Sequence, residues 1–394
     1  MHLNSPFSTL PAMALAAAVS FFAPECAFAE QVNTTAFARS ATLSIAPHGG
    51  AGDLTEFPVP VRLSPTLFSG FNYSQCLGDG RDICFADADG NLIPHEIDTW
   101  DTSGESLVWV RLPSYSATAA TTVTMYWTAA TPPHSVDASD VWSQYLSVWH
   151  MNSNLRDATG FNHLSALNNP LCGSALLGNG MTLTASSKQV LLTNSALGDA
   201  GGAVLSTFTI TGWLRPGISY SGKNARVFST KPGSGGYTLP GFEYILSNGR
   251  LLLRGDGNSA THNIPTAWAD HFAIDQWTHV GAVFNGNSSS AYFDGAFANS
   301  GSISKITVAR RLGIGNTGEE PSNDNVFAGC IDEIRIRACV STADWIAAEH
   351  FTTDTAGLVT YGAIVSNDTN PIASFSLTGS TPTSASTTRG AGQG

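Results

Sequence analysis

Apolar and polar residues alternate along VFAGCIDEIRIRACVSTADWIAAEH, residues 326–350. In an extended strand this period puts Asp332, Ile334 and Ile336 on one face. Glu333, Arg335 and Arg337 take the other face, which reads as solvent. A carboxylate is thereby assigned to the apolar side, where it needs hydrogen-bond donors or a metal. Ser341 then reads as a helix N-cap, opening a short amphipathic helix through Glu349.

Similar alternation, or an unbroken apolar run, predicts earlier strands at 57–63 (FPVPVRL), 83–87, 106–112 (SLVWVRL) and 121–127. Residues 63–73 break the pattern and suit a helical turn. A turn-rich joint, 128–140, leads to a helix-like piece, 141–151. A second series of strands is expected at 208–216, 225–230, 244–254, 277–285, 290–295 and 311–315. Asn248-Gly249, Asn285-Gly286 and Asp294-Gly295 supply the positive φ of tight hairpins. The pattern is all-β: an N-terminal β-sandwich over 36–134, then two packed antiparallel sheets over 147–350. Order is expected to fade from Thr352, and the tail 351–394 ends in a Ser/Thr/Gly-rich stretch expected to be disordered.

Composition changes the picture in three places. The 394 residues carry a net charge of -12, which argues against nucleic acid and anionic membranes as partners. Residues 10–29 read as the apolar part of a secretory signal closing on Ala27-Phe28-Ala29, although no Lys or Arg precedes them. No other segment is apolar enough to span a membrane, so the expected product is secreted, periplasmic or at the cell surface. Five cysteines would remain after cleavage, and Cys76 and Cys84 bracket a turn that a local disulfide would close.

Two blocks resemble known families. FPVPVRL, DGRDICFADADGNLIPHEIDTW (79–100), LVWVRLP and TMYW resemble a bacterial domain-of-unknown-function family, number 2341. VWHMN (148–152), DATGFNH (157–163), FTITGWLRP, QWTHVGAVFN, AYFDG, LGIG and FAGCIDEIRIR resemble the laminin-G-like branch of the concanavalin A-like superfamily. The second resemblance implies a jelly roll, ligand binding and a structural calcium ion. Asp332 with the 157–162 loop (Asp157, Thr159, Gly160, Asn162) is the implied ligand set, because calcium takes six to eight oxygens. The alternative is that Asp332 caps backbone N–H groups without metal. In a jelly roll the first and last strands are neighbours, so Cys172 can meet Cys330 or Cys339, and Cys330 is favoured.

Other chemistry is thinly signalled. Glu96 and Asp98 share a strand face in HEIDTWD, the nearest approach to a retaining glycosidase pair. No two histidines stand at ligand spacing, so zinc is not expected. Tyr220, Tyr237, Trp268 and His271 lie in loop-like segments and are candidates to line a sugar groove. The expected function is a secreted or surface-displayed binding module for carbohydrate or another surface ligand. A structural or adhesive envelope protein making only protein contacts is the alternative, and a glycoside hydrolase comes third.

Overall fold

The computed structural model describes residues 30–366 except 133, 135–136, 186, 199–203, 219–223, 234–237, 248–249, 258–260 and 265–271. The signal segment, the Asn248-Gly249 turn and the chain beyond residue 366 lie outside the described residues. Those that are described form two β-sandwiches, each with its own core.

In the first, Arg39–Ile45, Thr121–Trp127, Cys84–Ala86 and Leu92–Ile93 make one sheet. Leu54–Leu63, Ser106–Tyr115 and His95–Thr99 make the other. SLVWVRL is an apolar run rather than an alternation because both faces of its strand are covered. Val108, Val110 and Leu112 are fully buried in the first core. Trp109, on the opposite face, meets Trp142 edge-on at 5.3 Å and stacks with His150 at 5.6 Å.

In the second sandwich, Gly329–Arg337, here the closing strand, lies between Asn179–Leu183 and Thr207–Pro216 in one sheet. The opposing sheet is seven-stranded, from Thr261–Ile264 through Glu243–Ser247 and Arg311–Ile314 to Leu164–Leu167. Phe208, Ile210 and Leu214 meet Val227, Phe228, Tyr244 and Leu253 between the sheets. The helix-like piece 141–151 divides instead into a 3-10 turn, Ala138–Trp142, and a short strand, Ser147–Trp149, paired with the closing strand.

The α-helix described is Ala343–Asp354, capped by Thr342, whose hydroxyl accepts the Trp345 N–H at 3.1 Å. Ser341 is not the cap; its hydroxyl accepts a hydrogen bond from Arg337 at 2.9 Å. Nor does the helix have one apolar face. Trp345 and Ala348 enter the first core while Ile346 packs on Val283 and Tyr292 of the second sandwich. It is wedged between the two.

Order does not fade at Thr352. The chain re-enters the first sandwich, where Val359–Tyr361 and Val365–Ser366 pair antiparallel with Arg39–Ile45. Tyr361 stacks on Phe68 at 4.8 Å, which supplies burial that the Ser/Thr-rich composition conceals.

The expected disulfides are absent; Cys76, Cys84, Cys172, Cys330 and Cys339 are free. Cys76 packs against the main core of the first sandwich and Cys84 into a separate cluster with Val32 and Phe37. Burial pushes both thiols up to about 12. Cys172 and Cys330 lie on strands separated by Asn179–Leu183. Two strand spacings are about 10 Å, beyond the roughly 7 Å that a disulfide spans between Cα atoms.

Candidate functional site

A β-bulge in the closing strand builds the site. Thr211 pairs with Arg335 and Trp213 with Asp332, so Gly212 alone opposes Glu333 and Ile334. Glu333 carries the extra residue, with a φ of 49°. The insertion resets the alternation, so Ile331, Ile334 and Ile336 all enter the second core. Asp332, Glu333 and Arg335 are left facing the first sandwich. Asp332 is therefore not beside Ile334 and Ile336. The other face is not solvent either, since Glu333 and Arg335 are each 2% exposed.

These buried charges meet residues of the first sandwich in one network. The Glu333 carboxylate lies 2.8 Å from His150 Nδ1 and accepts from Arg335 at 2.9 Å. The other ring nitrogen of His150 lies 3.2 Å from Glu96 Oε2. Glu96 also accepts from the Trp142 indole N–H, and Asp98 accepts from Asn152 at 2.8 Å. The Arg335 guanidinium sits 4.5 Å above the Trp109 ring centre.

Electrostatics follow from this packing. Burial alone would lower the His150 pKa, but the carboxylates of Glu333, Asp98 and Glu96 hold it well above 6.5. Burial would raise Glu333, yet His150 and Arg335 bring it below the usual carboxylate range. Burial, with the charges of Glu333 and Glu96, outweighs the pull of His150 and the Asn152 hydrogen bond on Asp98 and lifts it to about 6. Burial likewise drives Asp332 well above 3.8, helped by the charge on Glu333.

Beside the network opens a polar cleft of about 520 Å³, lined by Glu96, Asp98, His150, Asn152, Asn154 and Arg156 among others. The loop Asp157–Gly160 forms part of its wall, and the next residue, Phe161, is 81% exposed.

The calcium set implied by the resemblance does not fit. Asp157 Oδ1 accepts from the Val148 and Thr159 N–H groups, and its Oδ2 from the Asn162 N–H. The Asn162 side-chain oxygen accepts from the Ser195 N–H at 3.1 Å. Asp332 serves a different loop, accepting from the Leu176 and Leu177 N–H groups at 3.1 and 3.0 Å. That is the capping role, and the side-chain oxygens of Asp157 and Asn162 are taken up by backbone N–H groups. Tyr220, Tyr237, Trp268 and His271 lie outside the described residues.

Glu96 and Asp98 are singled out by the sequence as the nearest approach to a glycosidase pair, whereas His150 stands out by no spacing. The signal for the covered face was the unbroken apolar run of SLVWVRL, which predicts burial on both sides.

Residues 79–152 match the family model described as Domain of unknown function (DUF2341). Residues 186–347 match that of the Concanavalin A-like lectin/glucanases superfamily. The chain carries both domains, in that order. Among curated proteins none matches. Solved structures with a similar fold include the binding domain of Paraclostridial Mosquitocidal Protein 1, at 14% identity and a TM-score of 0.42, covering 52% of each chain. Domain 4 of AbnA, an extracellular arabinanase from Geobacillus stearothermophilus solved with arabinotriose, is 17% identical with a TM-score of 0.41. It covers 52% of this chain and 97% of that one. The binding domain of Botulinum Neurotoxin DC in complex with SialylT is 12% identical with a TM-score of 0.43, covering 54% and 52%. The chain spans about half the length of the toxin binding domains it matches.

Proposed function

We propose that the protein is an exported, non-catalytic binding module that takes a carbohydrate into the cleft between its two sandwiches. The observation that carries this reading is the cleft itself. It gathers carboxylate, amide and guanidinium groups in one opening, while the exposed ring of Phe161, the residue after Gly160, lines the neighbouring pocket. Sugars present rows of hydroxyls, and a few convergent polar side chains of this kind can bind and orient them. Its volume of about 520 Å³ falls within the span of roughly 300–1,000 Å³ usual for small-molecule sites. Of the pair Glu96 and Asp98, Glu96 engages His150 and the Trp142 indole, and Asp98 accepts from Asn152. Both carboxylates are held by the protein's own groups rather than left free as the acid and nucleophile of a glycosidase. Membership of a lectin/glucanase superfamily supports the same substrate class. Export rests on residues 10–29, and among the described residues no helix is long and apolar enough to cross a membrane.

The test is to express the full chain in a bacterial host, recover the exported form and apply it to a glycan array. The product is expected to begin at Glu30 and to bind a defined set of glycans, with Arg156→Ala weakening that binding at least tenfold. An array blank for folded protein would leave protein contacts as the surviving reading. Retention of residues 1–29 would refute export by this route.

A further inference from the structure

The buried network holds more carboxyl groups than its cations match. Glu96, Asp98, Asp332 and Glu333 gather around His150 and Arg335. Four acids against two cationic side chains leave an excess of negative groups in a setting with little water, where an unmatched charge is costly. Asp332 gives a separate sign. It is fully buried, the charges acting on its carboxyl are those of Glu333, Asp98 and His150, and its Oδ1 has no partner.

We propose that Asp98, His150 and Glu333 form a divalent transition-metal site, for zinc or manganese, at the junction of the two sandwiches. One ligand atom from each lies within 4.8 Å of the others. Ligands bound at about 2.1 Å stand roughly 3–4 Å apart, so small side-chain adjustments close the set. The donor chemistry selects the metal. An imidazole nitrogen beside carboxylates suits zinc or manganese better than calcium, which takes oxygen alone. Both ring nitrogens of His150 face carboxylates, so one can coordinate while the other donates its proton and fixes the ring. The ion would displace the imidazolium proton and tie a strand of the first sandwich, His95–Thr99, to the closing strand of the second. This site goes beyond the carbohydrate reading and does not depend on it.

The experiment is calorimetric titration of the chelator-stripped full chain with zinc chloride, then with manganese chloride, in the absence of any glycan. The parent is expected to bind one ion per chain saturably, and zinc to raise its melting temperature. Asp98→Asn keeps the shape of the side chain and is expected to weaken binding at least tenfold. His150→Gln is expected to abolish it. Both variants are compared with the parent by circular dichroism before titration, and if His150→Gln does not fold, Asp98→Asn decides. Absence of saturable binding by the parent overturns the proposal, as does Asp98→Asn binding as tightly as the parent. Repeating the glycan array with and without chelator keeps the two readings separable.

Discussion

His95 stands at the start of the strand that carries Glu96 and Asp98, buried against Phe85. Burial depresses its pKa from the ordinary 6.5 to about 4. The unfolded chain therefore takes up this proton before the native state does. His95 contributes stability that is full above pH 6.5 and lost as pH falls toward 4, worth about 3 kcal/mol. Asp98 acts in the opposite sense. Its carboxyl is held up at about 6, so the native state gains stability as pH falls through that value. Comparing His95→Gln with the parent separates the two effects. In denaturant melts from pH 7 to 4 the variant is expected to lose less stability than the parent. Parallel curves would show that His95 is not the titrating group.

At the scale of the element, the closing strand decides the site through one inserted residue. Gly212 makes room for it. A Cβ there would stand 2.1 Å from Ile334 Cδ1, in a core that leaves Ile334 no exposure. Gly212→Ala is expected to cost about 1–3 kcal/mol by overpacking, measured as a lower denaturation midpoint at unchanged slope. An unchanged midpoint would mean that the bulge is not held by Gly212. Most strands could be predicted from the sequence because half-buried strands alternate and tight turns need Asn-Gly or Asp-Gly. Thr121–Trp127 was predicted to the residue. The bulge could not be predicted, because Ile331, Ile334 and Ile336 fit no strict period of two. A strand rule that assumes regular pleating assigned Asp332 to the core beside them and Glu333 to water. The site was hidden for a second reason. Glu96 and His150 are 54 positions apart and Glu333 is 183 from His150, so no local spacing betrays them.

For the whole molecule, the two sandwiches share more than a linker. The helix Ala343–Asp354 enters the first core and packs Ile346 on Val283 and Tyr292 outside the second, the charge network crosses the junction, and the chain then returns to pair with Arg39–Ile45. Ending the chain after Asp354 would remove Leu358 and Tyr361 from the first sandwich while leaving the second intact. Hydrogen exchange is expected to show lost protection across Arg39–Ile45 and retained protection across Thr207–Pro216. Equal loss in both would indicate a single cooperative unit instead.

That returning segment also has a mechanical meaning. Arg39 pairs with Ser366 and Ile45 with Val359, so the outer ends of the two paired segments lie side by side at one end of an antiparallel ladder. A pull on those two ends opens the ladder like a zipper, one rung at a time, rather than shearing all its bonds together. The second sandwich hangs beyond the zipper as a closed loop and bears no tension until the last rung has parted.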